Sequence, residues 1–181
     1  MKEELRYKFK IKRKYFQHSV REVADGAIAD AFLAAYGQFD SFFIYNSFGS
    51  ETDTKIIIDR LICAGKRVFL PRVEGKEMVA VQYFGREEEL IKNAYGIYEP
   101  QGKAYDGEID VCAAPLLAVN SKGFRLGYGG GYYDRYFSAH NNTVKVGLGY
   151  FLQMTDEFEE DGWDKPLDSF VSERGIYYFE R

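Results

Sequence analysis

The sequence predicts an α/β protein whose open, mainly parallel sheet is flanked by helices. Residues 39–71 follow the order strand, helix, strand, which is the repeating unit of a parallel sheet. Strand-like and helix-like segments then alternate along the chain, without an internal repeat or a low-complexity tract. A length of 181 residues suits one domain with a substantial core, so residues 1–181 are expected to form a single domain.

The first part of the chain is predicted to be helical. Apolar residues recur at roughly helical spacing among Lys and Arg in residues 2–17. A second helical pattern runs from about 20 to 35 and is expected to end near Gly37. The next segment, FDSFFIYN at residues 39–46, is short, aromatic and β-branched, and predicts a buried strand.

A capped helix and a second strand complete this first unit. Residues 50–53 supply hydroxyl and carboxylate groups that favour a helix start, and Gly65 is expected to stop the helix after about Ala64. The segment RVFLP, residues 67–71, is predicted to be the next strand and to end at its proline.

The second half is predicted to contain a long loop, a central strand and several shorter elements. Residues 85–107 are polar and rich in glycine and tyrosine, which is typical of a surface loop. The most apolar run, DVCAAPLLAV at 110–119, predicts a central strand that leads into a loop. The other predicted elements are a strand at 79–84, a helix at 132–138, and strands at 144–148, 168–172 and 176–179.

Charge and composition exclude several classes of partner. There are 24 Lys and Arg against 28 Asp and Glu, so the net charge of −4 gives no general attraction to nucleic acid. The charged start lacks an apolar signal core, and no apolar run approaches the roughly 18 residues that span a membrane. We therefore expect a cytoplasmic protein without a membrane or nucleic-acid partner, as a monomer or a weak homo-oligomer.

The cysteines, histidines and aromatic residues suggest no catalytic constellation by themselves. Cys63 and Cys112 lie among apolar residues outside any metal-ligand spacing, and both are predicted to be buried thiols. His18 and His140 lie in polar stretches and are predicted to be on the surface. The 15 Tyr and 15 Phe suit either core packing or a pocket for a flat heterocycle.

The strongest candidate site is the glycine loop, which we define as residues 125–134, RLGYGGGYYD. Four glycines within five positions let backbone N–H groups converge on an anion, and a helix that starts near Tyr132 would add its free N–H groups. Arg125 and Arg135 flank the loop and can pair with phosphate, and Asp134 can hold magnesium. The loop also follows the predicted central strand, where a parallel sheet places its ligands.

The glycines alone leave a second interpretation open, namely a flexible turn beside a solvated ion pair. The loop matches neither the Gly-Lys-Ser/Thr phosphate loop nor the wider glycine spacing of dinucleotide-binding folds. The residues by themselves therefore indicate a candidate phosphate loop and do not identify its ligand.

The longer string RLGYGGGYYDR resembles the ATP-loop signature of the 5-formyltetrahydrofolate cyclo-ligase family. Other segments are similar to the family's motifs in the same order, across nearly the whole chain. They are KEELR at 2–6, Lys12-Arg13, Tyr45-Asn46-Ser47 with Glu51 and Thr54, Leu70-Pro71-Arg72-Val73 with Met78, YGIYEP at 95–100, and Asp164 and Asp168 with Val171-Ser172-Glu173. The resemblance implies a fold like that of sugar-phosphate isomerases and CoA-transferases.

The resemblance also implies a reaction: ATP- and magnesium-dependent conversion of 5-formyltetrahydrofolate to 5,10-methenyltetrahydrofolate, with release of ADP and phosphate, through a phosphorylated formyl group. It assigns roles to residues that match the motifs. The implied ATP contacts are Lys2, Arg6, Arg125, Leu126, Gly127, Tyr128, Gly129, Gly130, Gly131, Tyr132 and Tyr133, of which Arg125 and Tyr133 are catalytic. The implied magnesium ligands are Asp134 and Asp164, and the implied folate contacts are Asn46, Glu51, Arg72 and Glu99.

Several of these roles have alternatives. Glu51 can also serve as a helix N-terminal acid, Asp164 can be a surface acid, and Tyr132 and Tyr133 can be core residues. Arg72 is expected to pair with the folate glutamate tail or a phosphate, and Glu99 to contact the formyl end or only to close a loop. The chain departs from some family members at Gly130, where they carry lysine, and at Ser172, where threonine is common.

The sequence is also compatible with two other functions. An enzyme on a related scaffold, such as a sugar-phosphate isomerase, would use the glycine loop for a substrate phosphate without ATP. A non-catalytic folate- or nucleotide-binding protein would bind 5-formyltetrahydrofolate without turnover.

Overall fold

The structure, a computed structural model, describes residues 1–16 and 18–180. Two helices come first, α1 (Lys2–Lys14) and α2 (His18–Tyr36). The other elements follow in chain order: β1 (Ser41–Ile44), α3 (Lys55–Cys63), β2 (Arg67–Glu74), β3 (Glu77–Tyr83), β4 (Leu90–Lys92), β5 (Tyr98–Pro100), β6 (Ala104–Tyr105), β7 (Val111–Pro115), β8 (Ala118–Val119), β9 (Arg125–Leu126), α4 (Tyr132–Ala139), β10 (Val144–Leu148), β11 (Ser169–Ser172) and β12 (Gly175–Tyr178). Short 3-10 turns lie at Glu87–Glu89 and Phe151–Gln153.

Eight strands form one sheet in the order β12-β11-β10-β7-β1-β2-β3-β6. The strands from β11 to β2 run parallel to one another. The edge strand β12 at one side, and β3 with the edge strand β6 at the other, pair antiparallel. The predicted open, mainly parallel α/β sheet is therefore confirmed. Two small hairpins, β4 with β5 and β8 with β9, lie outside this sheet.

Helices cover both faces of the central strands. Phe42 of β1 faces one apolar cluster with Phe32 of α2, whereas Phe43 faces a second cluster with Phe137 of α4. Successive side chains of a strand point to opposite faces, so a sheet that is covered on both sides needs apolar residues at every position. This requirement explains the uninterrupted apolar run in β1, all of which is buried.

Helix α1 packs at the end of the sheet where the central strand β7 leads into its loop. Leu5 and Phe9 of α1 are buried against Leu117, Leu126 and Phe158. Leu117 follows β7 and Leu126 belongs to β9, directly before the glycines. The packing of α1 therefore brings the start of the chain to the glycine loop.

The strand order fixes where a ligand would bind. The chain leaves β1 to pair β2 on one side, and β7 later pairs with β1 on the other side. This reversal is a topological switch point, and in open parallel sheets ligands bind beyond the carboxyl ends of the strands at that point. The segments that follow β1 and β7 are therefore the expected walls of the site.

The strand predicted for residues 67–71 does not end at its proline. It continues as β2 to Glu74, and Pro71 pairs with Ala80 of β3. The pairing between β1 and β2 ends at Phe69. Beyond that residue β3 is the only strand that pairs with β2 within the described residues. A proline without an N–H is tolerated where a strand has a single neighbour. The prediction was wrong because the sequence does not show where the neighbouring strand stops.

The prediction of one long loop at residues 85–107 is also wrong in part. This segment contains a 3-10 turn, the β4–β5 hairpin and β6, which adds an edge to the sheet. Short edge strands carry exposed polar residues, so their composition is similar to that of a loop. In the segment 110–119 the predicted central strand is present as β7, which ends at Pro115 and leads on to the short strand β8. Of the cysteines, Cys112 is buried as predicted, but Cys63 is exposed.

Among the residues that the structure describes, no helix is both long enough and apolar enough to cross a membrane.

Asp110 ties the amino ends of β1 and β7 together. Its Oδ2 accepts hydrogen bonds from Ser41 N (2.9 Å), Ser41 Oγ (2.8 Å) and Asp40 N (3.1 Å). Burial alone would raise the pKa of this carboxyl, but the hydrogen bonds from Ser41 and Asp40 outweigh it and lower the pKa below 3.8. Because the side chain is exposed and screened by water, we expect Asp110→Asn to lower the free energy of unfolding by only about 1 kcal/mol at neutral pH.

The pH dependence of this effect tests its cause. A lowered folded-state pKa means that the ionised carboxyl stabilises the protein above the unfolded value of 3.8, and that this stability is lost as the pH falls through the lowered pKa. In urea titrations the gap between wild type and Asp110→Asn should close as the pH falls below 3.8. Asp106→Asn, at an exposed acid, serves as the control. A gap that stays constant over this range would contradict the assignment.

Candidate functional site

The glycine loop lies beyond the carboxyl end of β7. After β7 the chain forms the β8–β9 hairpin, and the glycines connect β9 to α4. Gly129 and Gly131 have φ angles of 100° and 68°, which glycine adopts without strain. Gly131 is the N-cap residue of α4, so the first N–H groups of this helix have no acceptor within it. The local conformation therefore exposes backbone donors of the kind that bind an anion.

Arg125 lies beneath the loop with only 5% of its side chain exposed. Its guanidinium packs 5.3 Å from the ring centroid of Tyr133 and 5.7 Å from that of Phe137. Nη2 is 3.1 Å from Asp134 Oδ2, but the two are not aligned for a hydrogen bond. Within residues 1–16 and 18–180, neither Nε nor Nη2 of Arg125 has a hydrogen-bond partner. Buried donors left unpaired are costly, and a bound anion would pair them.

A side chain at position 130 would crowd the ring of Tyr132. A Cβ atom at Gly130 would lie 2.7 Å from Cε2 of Tyr132, closer than two carbon atoms can approach. Arg135 stacks over the Tyr132 ring at 5.0 Å and donates a hydrogen bond to the Gly130 carbonyl (3.0 Å). A cation therefore lies beside this part of the loop, although position 130 itself carries none.

One cation of α1 contacts the loop, and a second contacts two acids near the end of the loop. Arg6 donates from Nε to the Gly127 carbonyl (3.0 Å), and Lys2 Nζ contacts the carboxylates of Asp161 and Asp164. Burial alone would lower the pKa of Lys2, but the hydrogen bond and charge of these two acids outweigh it and raise the pKa. Lys2 therefore stays charged at the edge of the site.

The two predicted metal ligands lie near each other. Asp134 Oδ1 accepts a hydrogen bond from the backbone N–H of Lys165, the residue after Asp164 (3.1 Å). Asp164 Oδ2 accepts one from the backbone N–H of Asp161 (2.8 Å). Within the described part of the chain, no group of three or more His, Cys, Asp and Glu residues could hold a metal ion by itself. Magnesium needs only one or two protein carboxylates when phosphate and water supply the other oxygens, so this arrangement fits magnesium bound together with a nucleotide.

The segment after β1, residues 45–54, forms the opposite wall of the site. Glu51 is buried, and its two carboxylate oxygens accept hydrogen bonds from Tyr128 Oη (2.6 Å) and Phe48 N (3.0 Å). Burial is the main cause that raises the pKa of Glu51 above its ordinary value. Asn46 lies in the same segment and donates to the Tyr98 carbonyl (3.1 Å).

Two cavities flank the 45–54 segment, and both have volumes in the range of small-molecule sites. The first has a volume of about 430 Å³. Its lining residues come from the strand ends and α3, and they are Asn46, Lys55, Ile58, Asp59, Leu70, Tyr83, Glu87, Leu90 and Tyr98. The second measures about 340 Å³ and includes Glu51 together with residues of α2. Predicted folate contacts thus occur in the walls of both cavities.

Comparison with known proteins assigns the family. A protein-family model described as the 5-formyltetrahydrofolate cyclo-ligase family matches residues 1–173. The chain belongs to the 5-formyltetrahydrofolate cyclo-ligase family. It is therefore an enzyme, a ligase of folate one-carbon metabolism.

Individual members of the family agree with this assignment. The 5-formyltetrahydrofolate cyclo-ligase of Escherichia coli (strain K12) is 33% identical over 143 residues, which cover 74% of this chain and 78% of that protein. The enzyme of the same name from Haemophilus influenzae is 33% identical over 132 residues, covering 68% of this chain and 71% of its own. The solved structure of Aquifex aeolicus 5,10-methenyltetrahydrofolate synthetase matches with a TM-score of 0.86 and 28% identity, covering 99% of this chain and 93% of that one. The sheet is thus the cyclo-ligase fold.

Arg72 and Glu99, which match the cyclo-ligase motifs, form polar contacts with other residues of the protein. Arg72 pairs with Glu74 (2.6 Å) and donates to the carbonyls of Pro100 and Gly102, and Glu99 accepts a hydrogen bond from Val73 N (3.1 Å). These contacts hold β5 and the residues directly after it against β2. They support the interpretation that Glu99 closes a loop, and the substrate contacts of both residues stay predictions.

The tertiary structure adds two residues to which the cyclo-ligase motifs assigned no role. Arg13 is 5% exposed and donates to the Tyr128 hydroxyl (2.7 Å). In the sequence, Lys12-Arg13 is recognisable only as a basic pair. Asp161 contacts Lys2, and its only signal in the sequence was its place in the acidic stretch 156–164. His18 is exposed as predicted, whereas His140 is partly buried and stacks on Tyr136.

Proposed function

We propose that the protein converts 5-formyltetrahydrofolate and ATP into 5,10-methenyltetrahydrofolate, ADP and phosphate, with magnesium. The observation that carries this proposal is the buried Arg125 beneath the glycine loop, two of whose guanidinium nitrogens, Nε and Nη2, have no hydrogen-bond partner in the described residues. A phosphate in the loop would accept those hydrogen bonds, and ATP brings such a phosphate. Family membership supports the folate substrate.

The chemistry requires activation of a poor leaving group. In the proposed reaction the formyl oxygen attacks the γ-phosphorus of ATP, and the bond to the bridging oxygen breaks to release ADP. N10 then attacks the formyl carbon and loses its proton, while the carbon–oxygen bond breaks and phosphate leaves with the former formyl oxygen. Phosphoryl transfer of this kind depends on positioning and charge neutralisation more than on covalent help from the protein.

The glycine loop and its cations would supply both the positioning and the charge neutralisation. We propose that the backbone of residues 125–133 cradles the phosphates, and that Lys2 and Arg6 offset their charge from α1. Arg125 and Tyr133 would contact the transferred phosphoryl group. Burial raises the pKa of Tyr133 well above its ordinary value, so its hydroxyl stays protonated and can donate a hydrogen bond to a phosphoryl oxygen.

Asp134 and Asp164 are the proposed magnesium ligands. Magnesium would neutralise phosphate charge and align the γ-phosphoryl group with its acceptor. Asp134 lies at the end of the glycine loop beside Arg125, so a carboxylate and a guanidinium face the same place. Lys165 N holds the Asp134 carboxylate in place through Oδ1, which limits its rotation.

Glu51 and Asn46 are the proposed folate contacts. A pterin ring presents N–H and amino groups, and the buried carboxylate of Glu51 is an acceptor that suits them. Asn46 lies in the wall of the 430 Å³ cavity, which is large enough to receive the remainder of the folate. Substrate contacts are also proposed for Arg72 and Glu99, which lie on β2 and β5.

The test is an assay with purified protein, 5-formyltetrahydrofolate and Mg-ATP. The methenyl product absorbs in the near ultraviolet, and we expect its appearance to match ADP release in equal amounts. Binding of 5-formyltetrahydrofolate without any absorbance change would favour a non-catalytic binding protein. No folate binding together with turnover of a sugar phosphate would favour the isomerase-like alternative. Either result would refute the proposed reaction.

Asp134→Asn tests the magnesium site. Loss of the carboxylate charge should raise the magnesium concentration that gives half-maximal activity by about tenfold or more, because one of very few protein ligands is weakened. The measurement is turnover against total magnesium at saturating ATP and folate. Asp156→Asn, an exposed acid that accepts a hydrogen bond from Ser121 N, is the control and should keep the wild-type curve. An unchanged magnesium requirement in Asp134→Asn would remove Asp134 from the site.

We also propose that the protein works in the cytoplasm as a monomer or a weak homo-oligomer. Cys63 and Cys112 are free thiols, which suits a reducing compartment. The acidic net charge gives no general attraction to nucleic acid. Light scattering at several protein concentrations tests the oligomeric state, and a stable mass of two or more chains at low concentration would contradict it.

A further inference from the structure

One hydrogen-bonded chain of side chains joins the start of the protein, the glycine loop and the 45–54 segment. Arg13 of α1 is at its centre. Its Nη2 donates to Tyr128 Oη (2.7 Å), its Nε donates to Ser50 Oγ (3.0 Å), and its Nη1 donates to the Leu116 carbonyl after β7 (3.1 Å). A single buried guanidinium therefore fixes three segments that are remote in sequence.

Tyr128 carries this link from the loop to Glu51. It lies between Gly127 and Gly129, and its hydroxyl accepts a hydrogen bond from Arg13 and donates one to Glu51 Oε1 (2.6 Å). The Arg13 guanidinium lies 5.7 Å from the centroid of the Tyr128 ring. The Tyr128 ring is not buried, because 38% of the residue remains exposed to solvent. Its position therefore depends on the conformation of the flanking glycines.

Glu51 has few other partners that could orient it. Its Oε2 accepts from Phe48 N, and the residue is 7% exposed, so water can replace the Tyr128 hydroxyl only poorly. A buried acceptor that loses its donor is strongly disfavoured. The orientation of the Glu51 carboxylate is thus tied to the position of Tyr128.

We propose that Tyr128 and Arg13 are positioning residues that orient the Glu51 carboxylate and make folate binding depend on the conformation of the glycine loop. The inference rests on the proposed function, because it takes Glu51 as a folate contact and the loop as the nucleotide site. A nucleotide that orders the loop fixes the Tyr128 hydroxyl, and this hydroxyl fixes Glu51 for the folate. By linkage, bound folate then tightens nucleotide binding by the same factor.

Binding measurements on the whole protein test the coupling. We would measure the dissociation constant of 5-formyltetrahydrofolate by calorimetry, without nucleotide and with a saturating non-hydrolysable ATP analogue and magnesium. In wild type the nucleotide should tighten folate binding by about fivefold to tenfold. In Tyr128→Phe, which keeps the ring and loses the hydroxyl, the two constants should become equal within a factor of two, while the affinity for the analogue alone is retained.

Further variants separate positioning from a general loss of structure. Tyr7→Phe removes a hydroxyl from an exposed tyrosine of α1 and should keep the wild-type coupling. Arg13→Lys keeps the charge and loses the planar guanidinium, so it should reduce the coupling, and thermal unfolding checks that the variant is folded. In steady-state assays Tyr128→Phe should raise KM for folate by about tenfold and change kcat less than threefold, a split that general destabilisation does not produce.

The outcomes distinguish this inference from the proposed function. Equal folate affinities with and without the analogue in wild type, together with normal turnover, would overturn the inference and leave the proposed function intact. Full coupling in Tyr128→Phe would also overturn it. Failure of wild type to bind folate or to form the methenyl product would overturn both.

Discussion

Arg125→Ala is expected to lower kcat/KM for ATP by about a thousandfold, the scale found when an enzyme loses a charged group that stabilises phosphoryl transfer. The guanidinium is buried beneath the glycine loop with donors left unpaired in the described residues, so it is preorganised for an anion. Water that filled the vacated space could not replace a fixed positive charge. The measurement is the rate of methenyl product formation over a range of ATP concentrations.

Two further variants make this prediction specific. Arg125→Lys keeps the charge without the planar fork and should recover only part of the activity. Arg60→Ala removes an arginine from a surface ion pair with Asp30 and should behave as wild type. Because the alanine variant leaves Asp134 without its cation, folding must be checked by thermal unfolding. A folded Arg125→Ala protein with wild-type turnover would eliminate the glycine loop as the site of phosphoryl transfer.

Glu51→Gln is expected to raise KM for 5-formyltetrahydrofolate by about tenfold to a hundredfold, with a much smaller change in KM for ATP. The variant keeps the shape of the side chain, but it replaces a charged acceptor with a neutral one, and such hydrogen bonds contribute about 1–3 kcal/mol. Glu88→Gln, at an exposed position of the 3-10 turn, is the matched control. An unchanged folate KM in Glu51→Gln would exclude Glu51 as a folate contact.

The same variant should respond to pH in a defined direction. Burial raises the pKa of Glu51 above 4.5, so the folded protein holds this proton more tightly than the unfolded chain does. The stability of wild type therefore falls as the pH rises from 4.5 through the raised pKa, whereas glutamine has no such dependence. Urea titrations should show the difference in unfolding free energy moving in favour of Glu51→Gln across this window. A difference that moves the other way would contradict the raised pKa.

The regular elements were predicted best where one local pattern was sufficient. The strand at 144–148 was predicted with its observed bounds, because valine and leucine alternate with other residues there with a period of two, directly after a polar turn. The helix predicted for 132–138 differs by one residue from α4. The edge strands within residues 85–107 were missed, since their pairing depends on partners elsewhere in the fold and not on their own composition.

The predicted site residues were brought together in two groups. In the first group, Arg6 contacts the glycine loop at Gly127. Asp134 at the end of the loop accepts a hydrogen bond from Lys165 N, and the neighbouring Asp164 contacts Lys2. Arg72 and Glu99 instead contact each other's segments, and no motif indicated that their polar atoms would be engaged within the protein. The catalytic and binding roles of all these residues stay predictions until the variants are measured.

The sequence by itself determined the parallel strand–helix–strand unit, the position of the glycine loop after a central strand, and the family motifs. These features are local, because backbone conformation and apolar periodicity depend on neighbouring residues. Only the tertiary structure decided that Arg125 lies buried beneath the loop and that Arg13 and Glu51 meet at Tyr128. Those partners are 115 and 77 residues from Tyr128 in the chain. The strand order brings them together, and burial then sets the charge and orientation of the groups that face the ligands.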